Sequence, residues 1–266
     1  MAHRWTTEEK QIKIEELLNL YKRQNKTIGE VGKILGIAES TVFDRMKRLN
    51  ITSDPEKKLN YCNRRHNIMI PKAFSVKLAE FIGIMLGDGH ISPTQIMVSI
   101  GFRDEKYLEH VSSLMKELFG VNPKYIERTD KNVYVIYLGS VPLVKFFKNM
   151  GLVSNKVQQQ VDVPNWILSD SKYSKAFLRG FFDTDGSIYK LRFGVQMAFS
   201  NRSIPLLKST RKILLDSNYH PSKISSWKVY LTRKLDLCRY VKEIGFGNKK
   251  HFKKAQKFGI LKTING

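Results

Sequence analysis

Apolar residues recur along this chain with two different periods. In the stretch 177–186, "FLRGFFDTDG", an apolar run with helical character meets two carboxylates and a glycine. Acids are unfavourable at that place, because a helix C-terminus already carries the negative end of the macrodipole. From Tyr189 the period shortens to two: Tyr189, Leu191, Phe193, Val195, Met197 and Phe199 alternate with Lys190, Arg192, Gly194, Gln196, Ala198 and Ser200. That alternation predicts a strand with one buried and one wet face. Upstream, Ile96, Val98, Ile100 and Phe102 alternate with Gln95, Met97, Ser99 and Arg103, and a further strand is expected near 228–234 with Lys228, Tyr230, Thr232 and Lys234 on one face.

The helix-then-strand pattern occurs twice. At 81–89 the chain reads "FIGIMLGDG", and one fixed shift superimposes Ala79 on Ala176, Gly83 on Gly180, Asp88 on Asp185 and Gly89 on Gly186. The same shift matches Ile91 with Ile188, Val98 with Val195 and Phe102 with Phe199. Self-similarity of this kind predicts two tandem halves of one pseudo-symmetric domain, 71–165 and 166–266. Each helix carries a small residue every fourth position: Ala79, Gly83, Gly87 in one and Ala176, Gly180, Thr184 in the other. That spacing makes one stripe, along which two helix backbones can approach closely. Glycine costs about 1 kcal/mol inside a helix, so Gly83 and Gly180 need such a packing reason.

If the stripes pair, the C-terminal ends of the helices meet, and Asp88 lies near Asp185. Gly89 and Gly186 are then expected to supply the left-handed turn that ends each helix. Two carboxylates at two negative helix ends repel, and a divalent cation with a preference for oxygen ligands relieves the clash. A calcium EF-hand loop starting at Asp183 is excluded, since Gly194 stands where its closing Glu is required.

The first 52 residues form a separate pattern. Thr6 with Glu9, and Thr27 with Glu30, are capping boxes that open helices. A turn at 36–38, "GIA", leads into a third helix, "ESTVFDRMKRLN", and Ile28, Val31, Ile34, Ile37, Val42 and Leu49 are the expected core. This stretch resembles a helix-turn-helix, which implies that Glu39, Ser40, Thr41 and Arg45 approach the major groove of DNA. A polar, basic linker is expected at 53–70.

Charge then narrows the function. Lys and Arg outnumber Asp and Glu by 46 to 24, a formal net charge of +22, which calls for a polyanionic partner. With two cysteines, Cys62 and Cys238, neither a disulfide framework nor a cysteine zinc site is expected. The absence of a long apolar run and the acidic start "TTEEK" point to an intracellular, DNA-associated protein with no secretion signal. On the wet strand faces, Arg suits guanine edges and Gln suits adenine edges.

The paired motifs "GIMLGDG" and "GFFDTDG" resemble those of the LAGLIDADG homing endonucleases, over about 70–266. The resemblance implies an α+β fold: a monomer of two αββαββα halves, with paired motif helices between two antiparallel sheets that form a saddle over double-stranded DNA. It implies Asp88 and Asp185 as catalytic, metal-binding acids, with the carbonyls of Gly87 and Thr184 as further ligands and Mg²⁺ or Mn²⁺ as cofactor. The first motif departs from the family pattern in having Leu86 and Gly87 where the second has Asp183 and Thr184. The resemblance also places an active-site basic residue at Lys156 in one half and at Lys249, with Lys250 as the alternative, in the other. A long asymmetric DNA site is then expected. An RNA-splicing maturase acting on intron RNA and a non-catalytic transcription regulator are the alternative functions of the same fold.

Overall fold

A computed structural model describes residues 5–52 and 68–261. Contacts divide the chain into Met1–Tyr61 and Cys62–Gly266. Most of the expected linker, residues 53–67, lies outside the described residues.

The described residues of the first unit hold three α-helices. Helix α1 (Thr7–Leu17) continues into wider π-helical turns over Leu18–Arg23, followed by α2 (Ile28–Leu35) and α3 (Glu39–Arg48). Both capping boxes form: the Glu9 N–H donates to Thr6 Oγ1 at 3.2 Å, and the Thr6 N–H to Glu9 Oε2 at 2.8 Å. Thr27 and Glu30 repeat the arrangement at the start of α2. Gly36, at φ 63°, ends α2 in the left-handed region. A Cβ on Gly32 would sit 2.8 Å from the Ile37 carbonyl, so the tight turn into α3 requires glycine. Leu17, Leu20, Tyr21, Val31, Val42 and Met46 form the core, with Ile28, Leu35, Ile37, Leu49 and Ile51 around it. Ile34 is not part of it and is 55% exposed. The inward stripe of α2 runs through Ile28, Val31, Gly32 and Leu35, and Ile34 falls outside that arc.

In the second unit, the first half runs α4 (Val76–Gly87), β1 (Gly89–Ile91), β2 (Gln95–Gly101), α5 (Glu105–Phe119), β3 (Lys124–Arg128), β4 (Val133–Gly139) and α6 (Val141–Asn149). Its antiparallel sheet has the order β1-β2-β4-β3. After a short α7 (Asn165–Leu168), the second half runs α8 (Ser171–Asp185), β5 (Gly186–Leu191), β6 (Gly194–Ser200), α9 (Ile204–Asp216), β7 (Lys228–Leu231), α10 (Lys234–Glu243) and α11 (Lys249–Lys257). Its antiparallel sheet is β5-β6-β7.

The second half is thus one regular strand short of αββαββα. Pro221 has no N–H to give a ladder. Beside it, Ser222 meets Tyr230 both through its own N–H and through its hydroxyl, which accepts the Tyr230 N–H at 3.0 Å. The segment before β7 is therefore an irregular edge, tied at Ser225 and Lys228.

One apolar core serves both halves, and α4, buried from Leu78 to Leu86, runs through it. Helices α4 and α8 touch backbone to backbone. A Cβ on Gly83 would strike the Phe177 carbonyl and lie 2.7 Å from the Phe181 nitrogen. One on Gly180 would strike the Glu80 carbonyl and lie 3.1 Å from the Ile84 nitrogen. No side chain can yield there. Gly180→Ala is therefore expected to cost about 1–3 kcal/mol through overpacking. A thermal melt of the variant should fall by several degrees, whereas Gly101→Ala, at an open position, should leave the melt nearly unchanged.

Candidate functional site

The close helix contact delivers both C-termini to one place. Asp88 follows Gly87 as the cap of α4, and Asp185 is the last residue of α8. A Cβ on Gly87 would overlap the Thr184 hydroxyl, so the motif ends face each other directly. Gly89 and Gly186 play a different part from the one expected. Neither has a positive φ, and Gly186 is at φ −90° and ψ 155°, as each chain leaves its helix straight into a strand. Glycine is needed for space instead: a Cβ on Gly89 would lie 2.5 Å from the Met85 carbonyl oxygen, and one on Gly186 would strike the Phe182 carbonyl and ring.

Lys156 closes the end of α4. Its ammonium donates to the carbonyls of Met85 and Leu86, each at 3.1 Å, and to that of Gly87. A cation there balances the negative helix end. Burial lowers the Lys156 pKa, against the pull of Asp185 and Asp88. Burial pushes Asp185 up to about 7; the Asn201 amide, bonded to its Oδ2 at 2.6 Å, opposes the shift, Asp88 adds to it and Lys156 opposes it. Asp88 is raised too, although the residue is exposed: protein crowds its carboxyl, Lys156 and Lys250 counteract, and Asp104 adds repulsion.

Asp183 and the second lysine are placed differently. Asp183 is buried and accepts the Gly247 N–H at 2.8 Å, tying α8 to the segment before α11. Its pKa is raised to about 7, by burial first. Lys249 is exposed at the start of α11, while Lys250 reaches Asp104 at 2.9 Å and acts on Asp88, so the geometry favours Lys250 as the inward lysine. Among the described residues no three His, Cys, Asp or Glu cluster as a metal cage. Two crowded carboxylates beside the helix-end carbonyls, those of α4 now held by Lys156, nevertheless form a hard-oxygen donor set that suits a divalent cation whose shell is completed from outside the protein.

Two segments, 75–151 and 172–245, each carrying one of these helix ends, match the LAGLIDADG-like domain. The chain belongs to that family. It is 27% identical over 199 residues to the Replication factor C small subunit of Methanocaldococcus jannaschii, covering 72% of this chain and 10% of that protein. To the glutamine–fructose-6-phosphate aminotransferase of the same organism it is 24% identical over 274 residues, covering 96% of this chain and 24% of that protein. The chain thus spans a quarter or less of the length of these relatives, whose names are unrelated, so what they share with it is a segment. Among solved structures, it is similar to the N-terminal LAGLIDADG domain of DUF199/WhiA at TM-score 0.48 and 19% identity, covering 74% of this chain and 92% of that one. It is also similar to I-DmoI in complex with DNA and Mn, at TM-score 0.47 and 18% identity, covering 64% and 96%. Among the described residues no helix is long and apolar enough to cross a membrane.

The open faces of the LAGLIDADG sheets carry some of the expected residues and not others. In the first sheet Ile96, Val98 and Ile100 are buried, leaving Gln95, Met97 and Ser99 on the other face with Tyr137 and Val135 of β4. Lys124, Ile126 and Arg128 of β3 share that face. Arg103 does not, because β2 ends at Gly101 and Arg103 lies in a 3₁₀ turn.

In the second sheet the run from Tyr189 is a hairpin rather than one strand. Leu191 pairs with Gly194 across the turn Arg192-Phe193, so odd positions of β5 share a face with even positions of β6. Tyr189 therefore stands beside Gln196 on the open face, with Ser200, Lys228 and Tyr230, while Lys190 takes the face of buried Ile188 and Met197. Arg192 sits at the hairpin tip, 5.0 Å from the ring centre of Phe193. Thr232 follows the end of β7, and Lys234 begins α10.

The pairing also corrects the repeat. Val98 lies opposite Gly89, but Phe199, not Val195, lies opposite Gly186. The longer second hairpin breaks the fixed shift beyond Ile188. In the first unit, Glu39 and Ser40 are exposed at the start of α3, Thr41 is half-buried, and Arg45 lies 5.8 Å from the ring centre of Trp5, beside Arg48 at 4.9 Å.

Two neighbours of the acids escaped the sequence reading, Asn201, which binds Asp185, and Asp104, which pairs with Lys250 beside Asp88. Their only sequence signal was a position just after a central strand, which is visible once the strand ends are known.

Without metal, the Asp185 carboxyl binds its proton more tightly in the folded chain (about 7) than at its ordinary 3.8. Its contribution to stability is present at low pH and is lost as pH rises through that window. Asp185→Asn, uncharged throughout, should melt higher than the parent at pH 8, by a few degrees, with the gap closing toward pH 5. A gap that instead widens toward pH 5 would contradict the raised pKa.

Proposed function

We propose that the chain is a site-specific, divalent-metal-dependent double-strand DNA endonuclease that acts as a monomer on an asymmetric site. The observation that carries this reading is the pair Asp88 and Asp185 at converging helix ends, each with its pKa raised. A fold held together for its own sake has no use for that arrangement, since replacing both acids with amides would remove the repulsion. Asp88 and Asp185, with the carbonyls of Gly87 and Thr184, would hold Mg²⁺ or Mn²⁺ and leave room for a scissile phosphate. When bound, the ion would supply positive charge at that phosphate. In hydrolysis a water oxygen adds to phosphorus and one phosphate-ester bond breaks. Lys156 stands beside both acids to stabilise the added negative charge, and its lowered pKa suits it to pass a proton. Asn201 orients the Asp185 carboxylate.

The open sheet faces and the excess of 22 positive charges supply DNA contacts on either side of that centre. The helix-turn-helix unit would add a further contact through Ser40 and its neighbours. Its removal is expected to weaken binding and shorten the footprint without abolishing cleavage. The halves differ in strand number and in open-face residues, which favours an asymmetric site.

One observation favours a second reading, a DNA binder that does not cut. Lys156 already occupies the Gly87 carbonyl that a metal would need. Incubating a randomised duplex library with Mg²⁺ or with Ca²⁺, and sequencing bound and cut products, separates the two. Mg²⁺-dependent double-strand cuts at a defined asymmetric sequence are expected; enrichment without cuts would leave the binder.

Asp88→Asn and Asp185→Asn should each reduce cleavage at least a hundredfold with DNA affinity changed only a few-fold. Asp183→Asn should reduce it far less, since Asp183 supports the Gly247 backbone and does not face the proposed phosphate position. Cleavage rates and binding isotherms on the selected site measure both. If Asp183→Asn abolishes cutting while Asp185→Asn leaves it intact, the assignment of the acids is wrong.

A further inference from the structure

The turn before β7 is built at a conformational cost that its neighbour in the other half avoids. Ser225 and Lys228 exchange backbone hydrogen bonds at 3.0 Å, so Ser226 and Trp227 are the two central residues of a tight hairpin. Both have positive φ, 48° and 56°. Turns of this kind take Asn, Asp and Gly, whereas a bulky aromatic residue with positive φ is a genuine outlier. In the first half the matching turn has Asn132 at φ 54°, and its carbonyl accepts the Phe102 N–H at 3.0 Å. In the second half the Trp227 carbonyl accepts the Asn201 N–H at 3.1 Å. The backbone role is the same, so the indole was not required by the turn.

The indole is not serving the core either. Trp227 is 48% exposed, and the guanidinium of exposed Arg202 lies 4.1 Å from its ring centre. Through Asn201, whose amide holds the Asp185 carboxylate at 2.6 Å, this turn adjoins the second acid. An exposed aromatic face backed by a cation fits a nucleobase and its phosphate: the ring offers a stacking surface and the guanidinium a bidentate donor.

We infer that Trp227 and Arg202 form a stacking contact for a base of the nucleic-acid strand held at Asp185, and position that strand for the acid. The inference rests on the nuclease reading of the site. Trp227 is accordingly a positioning residue.

The full chain and three variants, Trp227→Asn, Trp227→Phe and Arg202→Ala, test it in Ca²⁺ with a fluorescein-labelled mixed-sequence DNA duplex. Anisotropy reports binding, and tryptophan emission reports the contact. Trp227→Asn places the first half's residue in the same turn and should melt no lower than the parent. It should bind roughly tenfold more weakly and lose the part of the emission quenching that the parent shows on binding. Trp227→Phe should restore most of the affinity, and Arg202→Ala should lower the salt slope by about one. If the duplex binds parent and Trp227→Asn alike, with equal emission change, the inference fails and the nuclease reading stands. If the parent does not bind the duplex at all, both fail.

Discussion

Two helices that meet through glycine backbones cannot choose what happens at their ends. Because Gly83 and Gly180 bring α4 and α8 into backbone contact, the last turns converge, with Gly87 against Thr184. Two negative helix ends and the carboxyls of Asp88 and Asp185 therefore share one small volume. Everything nearby answers that crowding. Lys156 sits on the α4 carbonyls, Asn201 binds Asp185, and the acids hold their protons more tightly than free carboxyls do. A site stressed in this way gains from a hard cation more than a relaxed one would, because binding the cation removes a repulsion already present.

The same helix pair is held in register by a buried polar group. Glu80 of α4 accepts hydrogen bonds from His110 at 2.8 Å and from Arg179 of α8. Burial alone would raise the Glu80 pKa, yet the hydrogen bonds and the positive charges of His110 and Arg179 together outweigh it and lower the value. The bond to Glu80 in turn raises His110. A charged pair between halves adds little net stability over apolar packing, but it penalises every slipped register, since a slip would strand a buried charge. Behind it, Asp183 fixes Gly247 and so the start of α11, from which Lys250 reaches Asp104. The acid that the first motif lacks is thus a strut for the far side of the site.

Much of this was legible in the chain because it depends on short periods and local chemistry. The small-residue stripe, the doubled motif, the two capping boxes and the first-half strand phase are each fixed by residues close in sequence. What could not be read depended on where a strand turns. A two-residue hairpin at Arg192-Phe193 reverses parity, so Tyr189 took the open face expected of Lys190. A fixed repeat shift hid the longer second hairpin, so Val195 was matched where Phe199 belongs. Gly89 and Gly186 have the composition of left-handed caps, but the demand on them is room beside Met85 and Phe182. Asn201, Asp104 and Trp227 matter through partners far along the chain, and no local pattern announces them.

The two halves surround their acids unequally. Lys156 acts on both acids, but Asp185 also meets a neutral amide, Asn201, whereas Asp88 also feels the Asp104–Lys250 ion pair. A neutral donor steadies one carboxylate orientation at every pH at which the acid is ionised. An ion pair instead adds a lysine that draws on Asp88 and an acid that repels it, so its net effect depends on where Lys250 lies. The hydrogen bonds of Lys156 go to the α4 end, whereas the last turn of α8 is met by the Thr184 hydroxyl at Gly180 and Phe181, by the Gly186 N–H at Phe182 and by His251 at Asp183. Duplicated halves that began alike would have presented the same surroundings to both acids. Here divergence has reached the hydrogen bonds of the acids themselves, so the two carboxylates differ in what orients them and in what neutralises them. That difference is what the proposed asymmetric site would call for: two chemically distinct surroundings would gain nothing from a palindrome.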